Sequence, residues 1–416
     1  MRKMIIAGLA MLTTLAAVFA AVLGTASGPV SAAVVATIKA AQASAVTAAS
    51  TSTSLVNLAG VSCVAADFCA AVGTRSASDV APRHPIAMIW NGARWRSTAV
   101  SLPKGWPGGE LEGVSCASAA YCVAVGGYFK TNSSPIPVAV TWNGRAWTAA
   151  RALPSLAGSR PFATDISCAA ARHCVVSVGA NPTPKSGQVF IDVLAGTTWA
   201  VHALTPAKGS QASDENVSCS SVTHCVITGV VYNRLGEAPL LALWNGKALS
   251  TMKATENFPA EFDGLSCPSA RSCVTVGTWF TGSADLGYYG IWNGSIWKGA
   301  RILPQPKAMV LASPVAVSCP VTTRCLAVGY DRVPGKNNVY PNQELAEFFN
   351  GRGWTRLSVP APAGAADSEF AGVSCVSATN CVAVGSTLYS INPKTYRETA
   401  LTGFWNGTRW RLVPAA

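Results

Sequence analysis

The stretch Gly113–Gly127 reads GVSCASAAYCVAVGG: two cysteines six positions apart, each beside an apolar, β-prone run. It has six relatives in the same chain. GVSCVAADFCAAVG stands at 60–73, DISCAAARHCVVSVG at 165–179, NVSCSSVTHCVITG at 216–229, GLSCPSARSCVTVG at 264–277, AVSCPVTTRCLAVG at 316–329 and GVSCVSATNCVAVG at 372–385. The seven copies of Ser-Cys-x5-Cys use all 14 cysteines. Their first cysteines follow one another at intervals of 53, 52, 51, 48, 52 and 56 residues. A period of that size marks a solenoid, a propeller or an array.

A second motif follows each cysteine pair. WNGARW occurs at 90–95, WNGRAW at 142–147, WNGSIW at 292–297 and WNGTRW at 405–410, with variants LAGTTW at 194–199, WNGKAL at 244–249 and FNGRGW at 349–354. Asn-Gly is a strong hairpin signal because both residues tolerate positive φ. Each unit therefore offers four short strands. Strand A is the Val-Ser-Cys run, strand B the Cys-Val-Ala-Val-Gly run, strand C the apolar run into Trp-Asn-Gly, and strand D starts at the second Trp. Four strands in about 50 residues without helical periodicity is the signature of a propeller blade. The expected fold is all-β: a seven-bladed β-propeller with four antiparallel strands per blade, occupying residues 56–416.

The N-terminus, MRKMIIAGLAMLTTLAAVFAAVLGTASGPVSA, has a basic start at Arg2 and Lys3, an apolar run from Met4 to Leu23 and small residues after it. Residues 1–32 read as an export signal, and the run is also long enough to serve as a retained anchor. Residues 33–55, rich in Ala, Ser and Thr, read as a linker. The expected location is secreted or in the cell envelope, outside the cytoplasmic membrane. The membrane is a partner only if the N-terminal segment is retained.

Export places the cysteines in an oxidising compartment. Directly opposed residues of antiparallel neighbours have Cα atoms about 4.5–5.5 Å apart, within reach of a disulfide. The expected pairs are Cys63–Cys69, Cys116–Cys122, Cys168–Cys174, Cys219–Cys225, Cys267–Cys273, Cys319–Cys325 and Cys375–Cys381, one per blade. Zinc prefers C-x2-4-C with a second pair nearby, and redox catalysis prefers C-x-x-C. Neither spacing occurs here, so no metal and no cofactor is expected. A serine precedes the first cysteine in all seven units. A catalytic serine needs one copy with a base beside it, so seven copies point to packing or a local hydrogen bond.

The formal charge is +12, or +10 without Arg2 and Lys3. Such a balance favours anionic partners, but no Lys/Arg cluster is dense enough to argue for nucleic acid.

The pattern resembles secreted bacterial propellers with repeated S-C-x5-C-x-A-V-G units, a largely uncharacterised group, over about 56–416. It is also distantly similar to Asp-box propellers, whose box runs S-x-D-x-G-x-T-W, and to kelch repeats. Gly144 and Trp147 match that box, while Trp142 stands where its Asp belongs. These resemblances imply the fold and no activity.

In a propeller the B–C and D–A loops share one face. The B–C segments hold Tyr128, Tyr232, Tyr288, Tyr289, Tyr330, Tyr389 and Tyr396, joined by Trp279 and Arg332. Loop tyrosines offer stiff contact area with a polar tip, and loops on a rigid frame commonly carry function. Glu112, Asp165, Glu215 and Asp263 mark the start of strand A in blades 2 to 5 and are expected to form an acidic arc at the channel mouth. The leading functional expectation is a monomeric, non-catalytic binding or scaffold propeller. It would recognise a glycan or protein of the cell envelope through this face. The alternative is a polysaccharide hydrolase or lyase using those acids.

Overall fold

A unit of four short strands cannot bury both of its faces alone, so repeated units must stack. The computed structural model describes residues 55–415 apart from 79, 131–134, 155–160, 181–188, 205–210, 234–235, 255–259, 281–284, 306–308, 333, 335–339 and 393–394. The expected signal at 1–32 and the linker up to 54 lie outside the described residues.

The described residues form 28 strands and no helix. Blade 1 is β1 (Leu55–Ala65), β2 (Phe68–Ser76), β3 (His84–Trp90) and β4 (Trp95–Thr98). Blade 2 is β5 (Gly108–Ser118), β6 (Tyr121–Phe129), β7 (Ile136–Trp142) and β8 (Arg151–Ala152). Blade 3 is β9 (Pro161–Ala170), β10 (His173–Ala180), β11 (Val189–Ala195) and β12 (Thr198–Leu204). Blade 4 is β13 (Gln211–Ser221), β14 (His224–Asn233), β15 (Gly236–Trp244) and β16 (Leu249–Thr251). Blade 5 is β17 (Ala260–Ser269), β18 (Ser272–Phe280), β19 (Asp285–Trp292) and β20 (Trp297–Ile302). Blade 6 is β21 (Leu311–Val321), β22 (Arg324–Arg332), β23 (Asn342–Phe349) and β24 (Trp354–Arg356). Blade 7 is β25 (Asp367–Ser377), β26 (Asn380–Asn392), β27 (Thr395–Trp405) and β28 (Trp410–Leu412). Each blade is an antiparallel meander in chain order, and the sheets of blades 5 and 6 touch through one parallel bridge, Asp285 to Leu311.

The Cys-Val-Ala-Val run explains how the blades pack. Side chains alternate faces along a strand, and here both faces meet another blade. Val123 and Val125 pack against Val176 and Val178 of blade 3, while Cys122 and Ala124 pack against Ala70 and Val72 of blade 1. Equivalent apolar layers fill the remaining interfaces. The last joins Val382 and Val384 of blade 7 to Leu58, Ala71 and Trp90 of blade 1. Blades 1 and 7 are each built from contiguous chain, so no strand is exchanged between the ends among the described residues.

All seven expected disulfides are present and no described cysteine is free. Their Cα atoms are 3.9–4.1 Å apart, closer than the expected opposed-strand distance. The ladder shifts register directly beyond the pair, between Cys116 and Ser118 in blade 2, where the hairpin pinches into its turn. Each bridge closes a short loop and contributes about 2 kcal/mol in the chain-entropy model.

The repeated serine does more than a local hydrogen bond. Strand A is the inner edge of its blade, and edge N–H groups need partners. The Cys116 N–H donates to Ser62 Oγ of the preceding blade at 2.9 Å. Cys168, Cys219, Cys267, Cys319 and Cys375 do the same to Ser115, Ser167, Ser218, Ser266 and Ser318 at 2.9–3.0 Å. Cys63 donates to Ser374 and completes the ring.

The Asn-Gly turns divide the work between their two residues. Gly92, Gly144, Gly246, Gly294, Gly351 and Gly407 take φ between 88° and 93°. The asparagine has no positive φ and instead accepts two turn N–H groups on Oδ1, as Asn91 does from Ala93 and Arg94.

Candidate functional site

The inner strands enclose a channel of about 450 Å³ lined by residues of all seven blades, among them Glu112, Asp165, Asp263, Tyr330 and Glu369. A second cavity of about 450 Å³ adjoins it at blades 7, 1 and 2 and shares Asn57, Ala59 and Glu112 with it. That notch also holds Arg83, Glu110 and Glu398.

Of the four expected acids, Glu112, Asp165 and Asp263 line this one channel, from two different positions of strand A. Glu112 stands four positions before Cys116, at the bulge between Leu111 and Gly113. Glu215 and Asp263 occupy the equivalent bulges of blades 4 and 5. Asp165 stands only three before Cys168, where blades 1, 2, 5 and 7 have Gly60, Gly113, Gly264 and Gly372. A glycine there lets inner strands approach: a Cβ on Gly264 would lie 2.8 Å from Ala316 Cα. Asp165 is instead a strut. Its carboxylate accepts from Ile166 N–H at 2.8 Å and from Val217 N–H of the next blade at 2.9 Å. Asn216, at the same offset in blade 4, donates to the Phe262 carbonyl of blade 5 at 2.8 Å. Asp263 accepts from Thr278 Oγ1 at 3.2 Å.

A denser group of acids stands at the strand-A entrance of blades 6, 7, 1 and 2. Arg83 pairs with Glu110 at 2.9 Å. Asn57 Nδ2 donates to Glu398 Oε1 at 3.3 Å, across the blade 7–blade 1 junction. Asn342 donates its side-chain amide to Glu369 at 2.8 Å and its N–H to Asp367 at 3.2 Å, and accepts from Arg332 Nε at 2.7 Å. Ser368 donates to Glu344 at 2.7 Å. Burial pushes Glu112 up to about 7, helped by the charge of Glu110 and opposed by Arg83. Burial likewise raises Asp165 to about 6 against its two backbone hydrogen bonds. Glu344, Asp367 and Glu369 are raised for the same first reason. Crowded, half-desolvated carboxylates of this kind gain from a cation placed among them.

The tyrosines are placed differently from expectation, because the B–C ladders run on past the core and carry them as strand residues. Tyr128 and Tyr288 are fully buried. Tyr128 lies under Gly109, and Tyr288 packs on Phe262. Tyr289 meets Trp354 with ring centroids 5.6 Å apart. Trp279 is packed against the core layer between blades 4 and 5. Tyr232, on β14, and Tyr396, on β27, are half-buried. Tyr389 lies under the Arg397 guanidinium. Of the nine aromatic and arginine candidates, Tyr330 lines the channel, and Arg332 stands beside it at 5.8 Å from the ring centre. Glu110, Glu344, Asp367, Glu369 and Glu398 were not expected at the site; Glu110 and Glu369 share with Glu261 the position six before the first cysteine, a repeated E-x-x-G-x-S-C signal that could have found them.

No known family model matches the chain, and no curated protein matches it in sequence. Solved structures do resemble it in fold. "YCF48 bound to D1 peptide" is 13% identical over 76% of this chain and 94% of the other, with a TM-score of 0.42. The β-propeller domain of the Trilobed protease from Pyrococcus furiosus is 8% identical over 86% and 97%, with a TM-score of 0.49. The GH74 xyloglucanase from Xanthomonas campestris is 12% identical over 83% and 57%, with a TM-score of 0.49. The architecture itself rests on the sheet order and the closed ring of blades: the chain is a disulfide-bridged seven-bladed β-propeller.

Proposed function

We propose that the protein is a non-catalytic binding propeller, exported to an oxidising compartment, that takes a basic segment of a protein partner at the channel mouth of blades 6, 7, 1 and 2. One observation carries the reading: Glu112 and Glu369 line the channel at this mouth, and Glu110 and Glu398 line the notch that opens beside it, with Arg83 as the notch's cation. A lysine or arginine side chain placed there answers several carboxylates at once and relieves the like-charge crowding at Glu112. The disulfide in every blade fits the oxidising compartment.

Titration with a lysine-rich peptide tests this. Binding should weaken with salt and fall at least tenfold in a Glu110→Gln, Glu112→Gln, Glu398→Gln variant that stays folded. A neutral oligosaccharide that binds while the peptide does not would overturn the basic-segment reading in favour of a glycan. The raised Glu112 carboxyl beside Glu110 also suits general-acid work, which supports the hydrolase or lyase reading. New reducing ends from a polysaccharide panel, lost in Glu112→Gln, would establish it instead.

A further inference from the structure

The end of the propeller opposite the acidic mouth carries the A–B loops and the C–D turns, and its charges are nearly all of one sign. Arg94 in blade 1, Arg145 in blade 2, Lys247 in blade 4, Arg352 in blade 6 and Arg409 in blade 7 stand on the Asn-Gly turns, all exposed. The turns of blades 3 and 5, AGTT and NGSI, have no cation. In those two blades the A–B loop supplies it: Arg172 and Arg271, both exposed. Arg271 lies against Gly294 of its own blade's turn, and Arg172 O accepts from Gly196 N–H at 2.9 Å, so both loop residues sit at the turn they complement. Arg324 adds an eighth cation, tied to Asn350 O at 2.6 Å.

Every blade thus contributes at least one cation, and the only acid in these loops and turns is Asp67. At the chain's ratio of 19 acids to 31 cations, eight cations would come with about five acids. Nor do the described residues show an ion pair for any of the eight.

The seven turns also stand at one level. The second cysteine of each blade is opposed by the first residue of the turn motif: Cys69 by Trp90, Cys122 by Trp142, Cys174 by Leu194, Cys225 by Trp244, Cys273 by Trp292, Cys325 by Phe349 and Cys381 by Trp405. The first cysteines are levelled in turn by the serine ring. Two A–B loops on this face present exposed valines, Val222 at 46% and Val321 at 50% exposure.

We infer that this face docks on an anionic phospholipid surface. A level ring of cations with apolar residues among them matches a plane of phosphate headgroups over hydrocarbon, and it presents separate points of charge on all seven blades, where a single polymer strand would meet only a few at once. The contact is electrostatic, so salt weakens it.

The test is co-sedimentation of the full chain with vesicles of about 30 mol% phosphatidylglycerol in phosphatidylcholine and with phosphatidylcholine alone. The N-terminal segment, with Arg2 and Lys3 before its apolar run, is the same in every variant, so the readout is the ratio between the two vesicles and how that ratio changes from one variant to the next. That ratio is expected to exceed tenfold at about 0.05 M salt and to collapse by about 0.5 M. Substituting Arg94, Arg145, Arg352 and Arg409 by Ser should bring it near one. Substituting Arg75, Lys104, Arg151 and Arg301, exposed cations elsewhere, by Ser should leave it nearly unchanged. Equal losses in the two variants, no preference for phosphatidylglycerol, or binding of soluble polyphosphate without binding of vesicles would each overturn the inference.

Discussion

Ser374 Oγ accepts the backbone N–H of Cys63 at 2.9 Å, across 311 positions of chain. It is the seventh of seven equal bonds, and the one that joins the last blade to the first. In Ser374→Ala the Cys63 N–H loses this partner at a packed junction, which costs about 1–3 kcal/mol. Urea unfolding should show that loss, and amide exchange at Cys63 should quicken. A variant with unchanged midpoint and unchanged exchange would mean that apolar packing alone closes the ring.

Stability should fall as pH rises above the ordinary carboxyl range. Burial raises Glu112 to about 7, Asp165 to about 6 and Glu347 to about 8. A carboxyl raised in the folded state holds its proton more tightly there than in the unfolded chain. Its stabilising effect is therefore complete at acid pH and is lost between the unfolded value, 4.5 for Glu112, and the folded one. Glu112→Gln removes its share of this slope, on the order of 3 kcal/mol at pH above 7. Urea titrations at about pH 5 and pH 8 check both statements; a Glu112→Gln variant with the parent's slope would contradict them.

The cysteine pairs and the Asn-Gly turns are legible in the sequence; the E-x-x-G-x-S-C repeat at Glu110, Glu261 and Glu369 is written there too, but nothing in it says which copies face the mouth. Ser-Cys-x5-Cys fixed the bridges because cysteines six apart on a hairpin can meet only each other. The serine's partner was hidden, since it lies about 50 residues away on another blade and no spacing within the motif shows it. Asp165 resembles Glu112 as an acid at the head of strand A, but counting back from the cysteine places them one position apart, which changes an open carboxylate into a strut. The tyrosines looked like loop residues because nothing in the sequence says how far a B–C ladder continues. Glu369 and Glu398 belong to the site only because blade 7 returns to blade 1.

Tyrosine substitutions separate core from site. Tyr288 is fully buried on Phe262, so Tyr288→Ala should cost about 3–5 kcal/mol in urea unfolding. Tyr330 is half-buried at the channel wall, so Tyr330→Ala should leave the midpoint within about 1 kcal/mol and change peptide affinity. A mild Tyr288→Ala would contradict the packing described for blade 5.

Hydrogen–deuterium exchange with and without a saturating lysine-rich peptide tests the binding account most directly. Protection is expected at the strand starts around Asn57, Glu110 to Glu112, Asp367 to Glu369 and Glu398, which surround the acidic mouth. The Asn-Gly turns at Asn91, Asn143 and Asn406, on the opposite face, should exchange as before. Protection confined to those turns, or none at the mouth, would contradict the assignment of the acidic end as the protein's binding face.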